Sequence, residues 1–241
     1  MISPKPNEDR VVSPQVNDKG EHRDVNSILP PMRYICNTTF VNKIIAAGAD
    51  NGYLVTINHP TWSNLDYDDY KGLKRLWAME INNGGCYAEG RADDPNVYNL
   101  MLRAMGTKLF AVGTDDNHND LPQDHPEHHC GQAWINIRAE KLDYDTIFNA
   151  LKNGDFYSSD GPEIYECYYD DEEDAVHVKC SPAQRVFVNS ASISAPMATA
   201  KKIGETITEA VIPLNHFAVD FIRVTVEDNN RRMAHTNAIW L

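Results

Sequence analysis

The chain has 241 residues, 42% of them hydrophobic, and a formal net charge of −13. That is enough apolar material for one large domain or two small ones, with no run near the roughly 20 apolar residues of a membrane span. The acidic balance argues against a nucleic-acid backbone as partner, and an anionic small substrate then requires a metal or a local Arg/Lys cluster to supply positive charge.

Five scattered cysteines, Cys36, Cys86, Cys130, Cys167 and Cys180, form no Cys-x-x-Cys pair. They read as free thiols of a reducing compartment rather than a disulfide frame or a zinc finger. The polar start, Met1 to Pro6, is unlike a signal peptide, so the expected location is the cytoplasm. Residues 1 to 33 are rich in Pro, Asn, Asp and Glu and read as an irregular arm carrying His22.

Phe40, Val41, Ile44 and Ile45 give a helical apolar spacing over 38–50, with Asn37 or Thr38 as N-cap and Asn51-Gly52 as stop. Tyr53–Ile57 is β-rich and runs into Asn58-His59-Pro60. Leu65–Leu76 reads as a helix, and Trp77–Ile81 as a strand ending in Asn82-Asn83-Gly84-Gly85. Asp94 and Pro95 open a helix to Met105, and Lys108–Val112 is the next strand. That strand leads into Gly113-Thr114-Asp115-Asp116-Asn117-His118. If the segment stays extended, Asp116 and His118 share a face, and a carboxylate and an imidazole there make half a divalent-metal shell. The loop His125, His128 and His129 could reach the same rim or be solvated. Ala133–Ile137 is a strand, and Asp143 caps a helix ending at Asn153-Gly154.

Strand–helix alternation with a period of about 30 residues predicts an α/β domain over 1–160 with a mostly parallel sheet or barrel, whose ligands sit beyond the strands' carboxyl ends. His59, Asn82-Asn83 and Asp116/His118 fall at the ends of successive strands. Beyond Gly161 the pattern changes to strands at Glu163–Tyr169, Ala175–Cys180, Arg185–Asn189, Ala210–Leu214, Ala218–Glu227 and Met233–Leu241. They predict an antiparallel β-sandwich module over 161–241. The acidic run Asp170–Asp174 reads as a solvated turn between two of them.

Val55-Thr56-Ile57-Asn58-His59-Pro60, Glu80-Ile81-Asn82-Asn83-Gly84, Gly113 to His118, and Gly154 to Pro162 occur in that order. Together they resemble the later part of the PHP (polymerase and histidinol phosphatase) family of metal-dependent phosphoesterases. The segment from Phe221 to Leu241 resembles the β-module that follows this domain in some bacterial members. The resemblance implies part of a distorted (β/α)7 barrel, with a metal cluster at the strands' carboxyl ends, followed by a small antiparallel β-sandwich. By it His59 matches the His of the family's Asn-His-Pro-like motif, Asp116 and His118 the last Asp-x-His ligand pair, and His22 an earlier ligand His. Asp115 would be an acceptor for a ligand's N–H. The family's opening His-x-His segment, its next Asp/His segment and its Glu have no counterpart, so the chain resembles the second half of the domain.

Three ligands plus water suit one divalent ion, zinc, manganese or iron. The resemblance therefore implies single-metal binding with low hydrolase activity toward a phosphoester or related small substrate. Net charge and the lack of a long apolar run speak against a nucleic-acid or membrane partner, and half a barrel with an open sheet edge predicts self-association. The alternative is a non-catalytic remnant whose β-module binds a partner or glycan.

Overall fold

Asn37 starts the first helix, α1 (Thr38–Asp50), by accepting the N–H of Phe40 at 2.8 Å, and the helix buries Phe40, Ile45 and Gly48. It belongs to a computed structural model that describes residues 1–8, 10, 12, 27–30, 37–90, 94–105, 108–118, 121–192, 195–215 and 220–241. The strand expected over Tyr53–Ile57 keeps only Thr56–Ile57 as β1. Leu54 pairs instead with Ile2, whose backbone exchanges both hydrogen bonds with it. The helix expected over 65–76 contracts to one turn, α2 (Tyr67–Tyr70). Its continuation loses to Asn42 of α1, whose side chain takes the Gly72 carbonyl and the Lys74 N–H, each at 2.9 Å.

Next come β2 (Ala78–Asn83), buried at all six positions, the short helix α3 (Gly84–Ala88), α4 (Pro95–Met105) and β3 (Phe110–Thr114). Strands β1, β2 and β3 form a parallel sheet in that order, with a register shift between Glu80 and Asn82. Its core includes Ile45 of α1, Met79 and Ile81 of β2, and Tyr98, Met101 and Leu102 of α4.

The parallel sheet ends at β3. Strand β4 (Trp134–Ile137) is followed by α5 (Tyr144–Asn153), capped by Asp143 and closed by Gly154 at φ 82°. Strand β5 (Phe156–Ser159) then pairs antiparallel with β4, Trp134 opposite Ser159. The remaining strands are β6 (Ile164–Asp170), β7 (Ala175–Ala183), β8 (Arg185–Ser190), β9 (Met197–Thr199), β10 (Ile207–Pro213), β11 (Phe221–Glu227), β12 (Met233–Thr236) and β13 (Ile239–Trp240). One antiparallel sheet runs β4-β5-β12-β11-β8-β9 with β13 on β11, and a second runs β10-β7-β6. Val176 and Val178 of β7 share a core with Val186 and Val188 of β8 and with Ile222, Val224 and Val226 of β11. Residue 160 lies inside this assembly, because β5 before it pairs with β12 after it, Ser159 opposite Ala234.

The expected partial (β/α)7 barrel followed by a small sandwich is therefore overturned. The chain is mostly β, 34% strand against 20% helix, and no sizeable helix-flanked barrel occurs among the described residues. The physical reason lies on the outer edge of β3. There a side chain takes the place of a neighbouring strand: Asn237 Oδ1 accepts the Ala111 N–H at 2.8 Å. Its Nδ2 donates to the carbonyls of Gly154 and Phe156 at 2.9 and 2.8 Å. Close by, a Cβ on Gly113 would meet the Trp134 carbonyl oxygen at 2.8 Å, so β4 crosses tightly over β3 without joining its ladder. Among the described residues no helix is long and apolar enough to cross a membrane.

Arg223 of β11 is 2% exposed. Its guanidinium donates to Asn99 (2.7 Å), Thr225 (3.1 Å) and the Pro95 carbonyl (3.3 Å) and lies over the Tyr98 ring. Beside it His235 is buried, and burial together with the Arg223 charge pushes its imidazole down from 6.5 to about 3. His235 is therefore neutral in the native state.

Two outcomes follow from this packing. Asn237→Ala leaves the Ala111 N–H and two carbonyls without their partner and should lower the unfolding free energy by about 2–3 kcal/mol in urea titrations. The unfolded chain binds a proton at His235 that the native state refuses, so this contribution is complete above about pH 6.5 and fades as pH falls toward about 3. The urea midpoint of the wild type should drop more between pH 7 and pH 4 than that of His235→Gln.

Candidate functional site

The carboxyl ends of β1, β2 and β3 meet at Glu80, a carboxylate that is 1% exposed. One oxygen accepts the Thr114 hydroxyl at 2.5 Å. The other accepts the His59 N–H at 2.7 Å and Asn83 Nδ2 at 2.8 Å. One buried charge thus ties together the three strand ends, each donor satisfying part of it. Asn83 passes the linkage on. Its Nδ2 also lies 3.3 Å from Asp116 Oδ2, while its Oδ1 accepts the Cys86 N–H at 2.8 Å and starts α3.

His59 sits at φ 33°, with Nδ1 at 2.9 Å from the Ser63 hydroxyl and its ring edge-on to Trp62. The neighbouring loop is fixed by Asp94, which takes both the N–H and the hydroxyl of Thr61. Asp94 opens α4 as expected, its carbonyl accepting the Tyr98 N–H at 3.0 Å, while its side chain turns across to the β1 loop and burial pushes its carboxyl upward.

Beyond β3 the chain does not stay extended. Asp116 adopts φ 50°, so the simple one-face alternation with His118 fails. His118 is exposed, with its ring 6.3 Å from that of His129. Of the expected ligands, His59 meets Glu80 only through its backbone N–H while its ring turns to Ser63, Asp116 is reached from Glu80 by way of Asn83, His118 is exposed, and His22 falls outside the described residues. Asp115 does not serve a ligand. Its carboxylate accepts the N–H groups of Gly131 (2.8 Å), Gln132 (2.7 Å) and Ala133 (3.0 Å), holding the end of the His-rich loop in place.

That loop delivers His129, whose Nδ1 is buried without a hydrogen-bond partner. A Cβ on Gly85 would lie 3.2 Å from this nitrogen and 3.4 Å from the Asp116 carbonyl oxygen. An orphan imidazole nitrogen fits a ligand, but the Asp116 atom near it is the backbone carbonyl, and Asp116, His118 and His129 do not bring three ligand atoms within 4.8 Å of one another. The local charge fits as well. The Cys86 thiol is pushed up to about 12, first by burial and then by the carboxylates of Glu80, Asp116, Glu89 and Asp94.

Among the described residues, the group of three with ligand atoms all within 4.8 Å of one another is Asp170, Glu173 and His177. It lies at the β6–β7 turn, away from the rim. His177 stacks on Tyr168 at 4.8 Å and approaches Glu173 at 3.0 Å, while Asp170 accepts the N–H groups of Glu172 and Glu173. The sequence marks the acidic turn but not His177, which hairpin register alone brings back over it. No family model, no curated protein and no solved structure matches this chain.

Glu80→Ala should cost about 2–4 kcal/mol, because the buried amide of Asn83, the His59 N–H and the Thr114 hydroxyl lose their acceptor together. Glu80→Gln should recover only part of that loss in the same urea titration.

Proposed function

We propose that the protein is a metal-dependent hydrolase acting on a phosphoester or related small substrate, with its site at the rim of the parallel sheet. The observation that carries this reading is the Glu80 linkage, which gathers His59, Asn83 and Asp116 from three strand ends onto one hydrogen-bonded rim. Asp116, His118 and His129 would hold one divalent ion after a turn of their side chains, which as they stand do not bring three ligand atoms within 4.8 Å of one another. Nitrogen and carboxylate donors of this kind suit zinc, manganese or iron. Such an ion, when bound, lowers the pKa of a coordinated water and polarises a phosphoryl oxygen. The residues around it have their own tasks. Glu80 fixes the His59 backbone, Asn83 orients the Asp116 carboxylate, and Asp115 holds the His129 loop against α3.

Elemental analysis of the purified protein tests the reading. The wild type should carry about one equivalent of zinc, manganese or iron, and Asp116→Ala/His118→Ala should carry none. Hydrolysis of p-nitrophenyl phosphate should stop on chelation and return with added metal. A wild type free of metal, or a double variant that keeps its metal and turnover, sinks the proposal.

A further inference from the structure

A cavity of about 450 Å³ opens beside Asn83, between the end of β2 and the β11–β12 hairpin. Its floor is Asn82, Asn83 and Gly84, and one wall is the Gly131–Ala133 segment held by Asp115. The lining also includes Arg231, Arg232 and Asp160.

The two arginines are deployed differently. Asp228 closes the hairpin by accepting the N–H groups of Asn230 and Arg232 at 2.7 and 3.0 Å. Arg231 then takes φ 69°, and its guanidinium turns back to Glu227 at 2.8 Å. Glu227, 1% exposed, is also held by Arg185 at 2.6 Å, so Arg231 is engaged by a buried carboxylate that it shares with Arg185. Arg232 is not matched in this way. Among the described residues its guanidinium has no ion-pair partner within 4.0 Å. Its aliphatic stem lies across Gly161, where a Cβ would come within 2.7 Å of Cδ and 3.0 Å of Cβ. The absence of a side chain at 161 is what lets Arg232 lie there.

The turn beneath is built to keep that position. Gly161 donates its N–H to the Ser159 hydroxyl at 2.9 Å, and that hydroxyl donates to the Pro162 carbonyl at 2.6 Å. Asp160, a carboxylate in the lining, accepts the Met233 N–H at 2.5 Å.

We propose that this cleft binds a compact oxyanion carried by a small molecule, with Arg232 as its anchor and Asn83 between the anion and the rim. A planar, always-charged guanidinium on a fixed stem suits a phosphate or carboxylate group. The anion is a non-reacting handle that holds the molecule while its other end reaches the rim. Only this last assignment rests on the proposed hydrolase; anion binding itself does not.

The test is calorimetric titration of the full chain with inorganic phosphate and, separately, malonate, at constant ionic strength. Four proteins are compared: wild type, Arg232→Gln, Gly161→Ala and the chelator-treated Asp116→Ala/His118→Ala. Thermal melts without ligand confirm that each is folded. At least one of the two anions should bind the wild type, and the stronger one identifies the oxyanion class. Arg232→Gln should weaken that binding about tenfold or more, the scale of one lost charge-assisted contact. Gly161→Ala, which keeps both arginines but displaces the stem, should weaken it as well, whereas the metal-free double variant should bind like the wild type. No binding of either anion to the wild type, or equal binding by Arg232→Gln, overturns the proposal. Binding lost in the double variant and kept in Arg232→Gln assigns the anion to the rim and also overturns it. Anion binding confined to the cleft in a protein without metal sustains the cleft while removing the hydrolase.

Discussion

The amide of Asn237 is the contact on which the rest of the architecture depends. A parallel sheet of three strands has two open edges, and each unpaired N–H on an edge seeks an acceptor. At β3 that acceptor is a side chain from the segment between β12 and β13, so the edge at Ala111 is closed without a fourth strand. The same amide holds the carbonyls at the end of α5 and the start of β5. The parallel sheet and the seven-stranded antiparallel sheet are thereby joined by one planar group with three hydrogen bonds. Aromatic packing reinforces the joint, with Trp77, Phe110 and Phe156 in mutual contact at 5.6–6.0 Å between ring centres.

The second joint between the two parts is polar and buried. Arg223 lies beneath α4 with neutral acceptors and an aromatic face around it. A guanidinium held by amide, hydroxyl and carbonyl oxygens is directional in a way an apolar contact is not, since each N–H vector must meet its oxygen. It therefore fixes how β11 crosses α4. Burial and the charge of Arg223 beside it together keep the neighbouring His235 uncharged.

Carboxylates divide the work at the rim. Glu80 and Asp115 face inward to backbone N–H groups and side-chain donors, and they set the positions of loops. Asp116 is half-buried, with its carboxylate held by Asn83. Across Asn83 the charge reverses, with Arg232 laid over Gly161. The β11–β12 hairpin thus contributes to the same region as the parallel sheet, although it lies more than a hundred residues away in sequence.

The locally encoded elements were legible in the sequence. The apolar spacing with Asn37 and Asp143 as caps gave α1 and α5, since a helix closes its own hydrogen bonds within four residues and its end signals sit beside it. Alternation in Ile222, Val224 and Val226 marked β11, and the polar ends of β2 and β3 marked the rim. What the sequence could not decide is which strand pairs with which. The direction of β4, the existence of β5 and the closing of β3 by Asn237 depend on groups 19 to 126 residues apart, and nothing in a local period names a distant partner. The same holds for the site. Local spacing proposed Asp116 with His118, but the left-handed turn at Asp116, the capture of Asp115 by the 131–133 backbone and the arrival of His129 were set by tertiary contacts. The sequence by itself determined the elements and the chemistry of their ends; the tertiary structure decided their pairing, because hydrogen-bond partners across a sheet are chosen by packing in space rather than by neighbours along the chain.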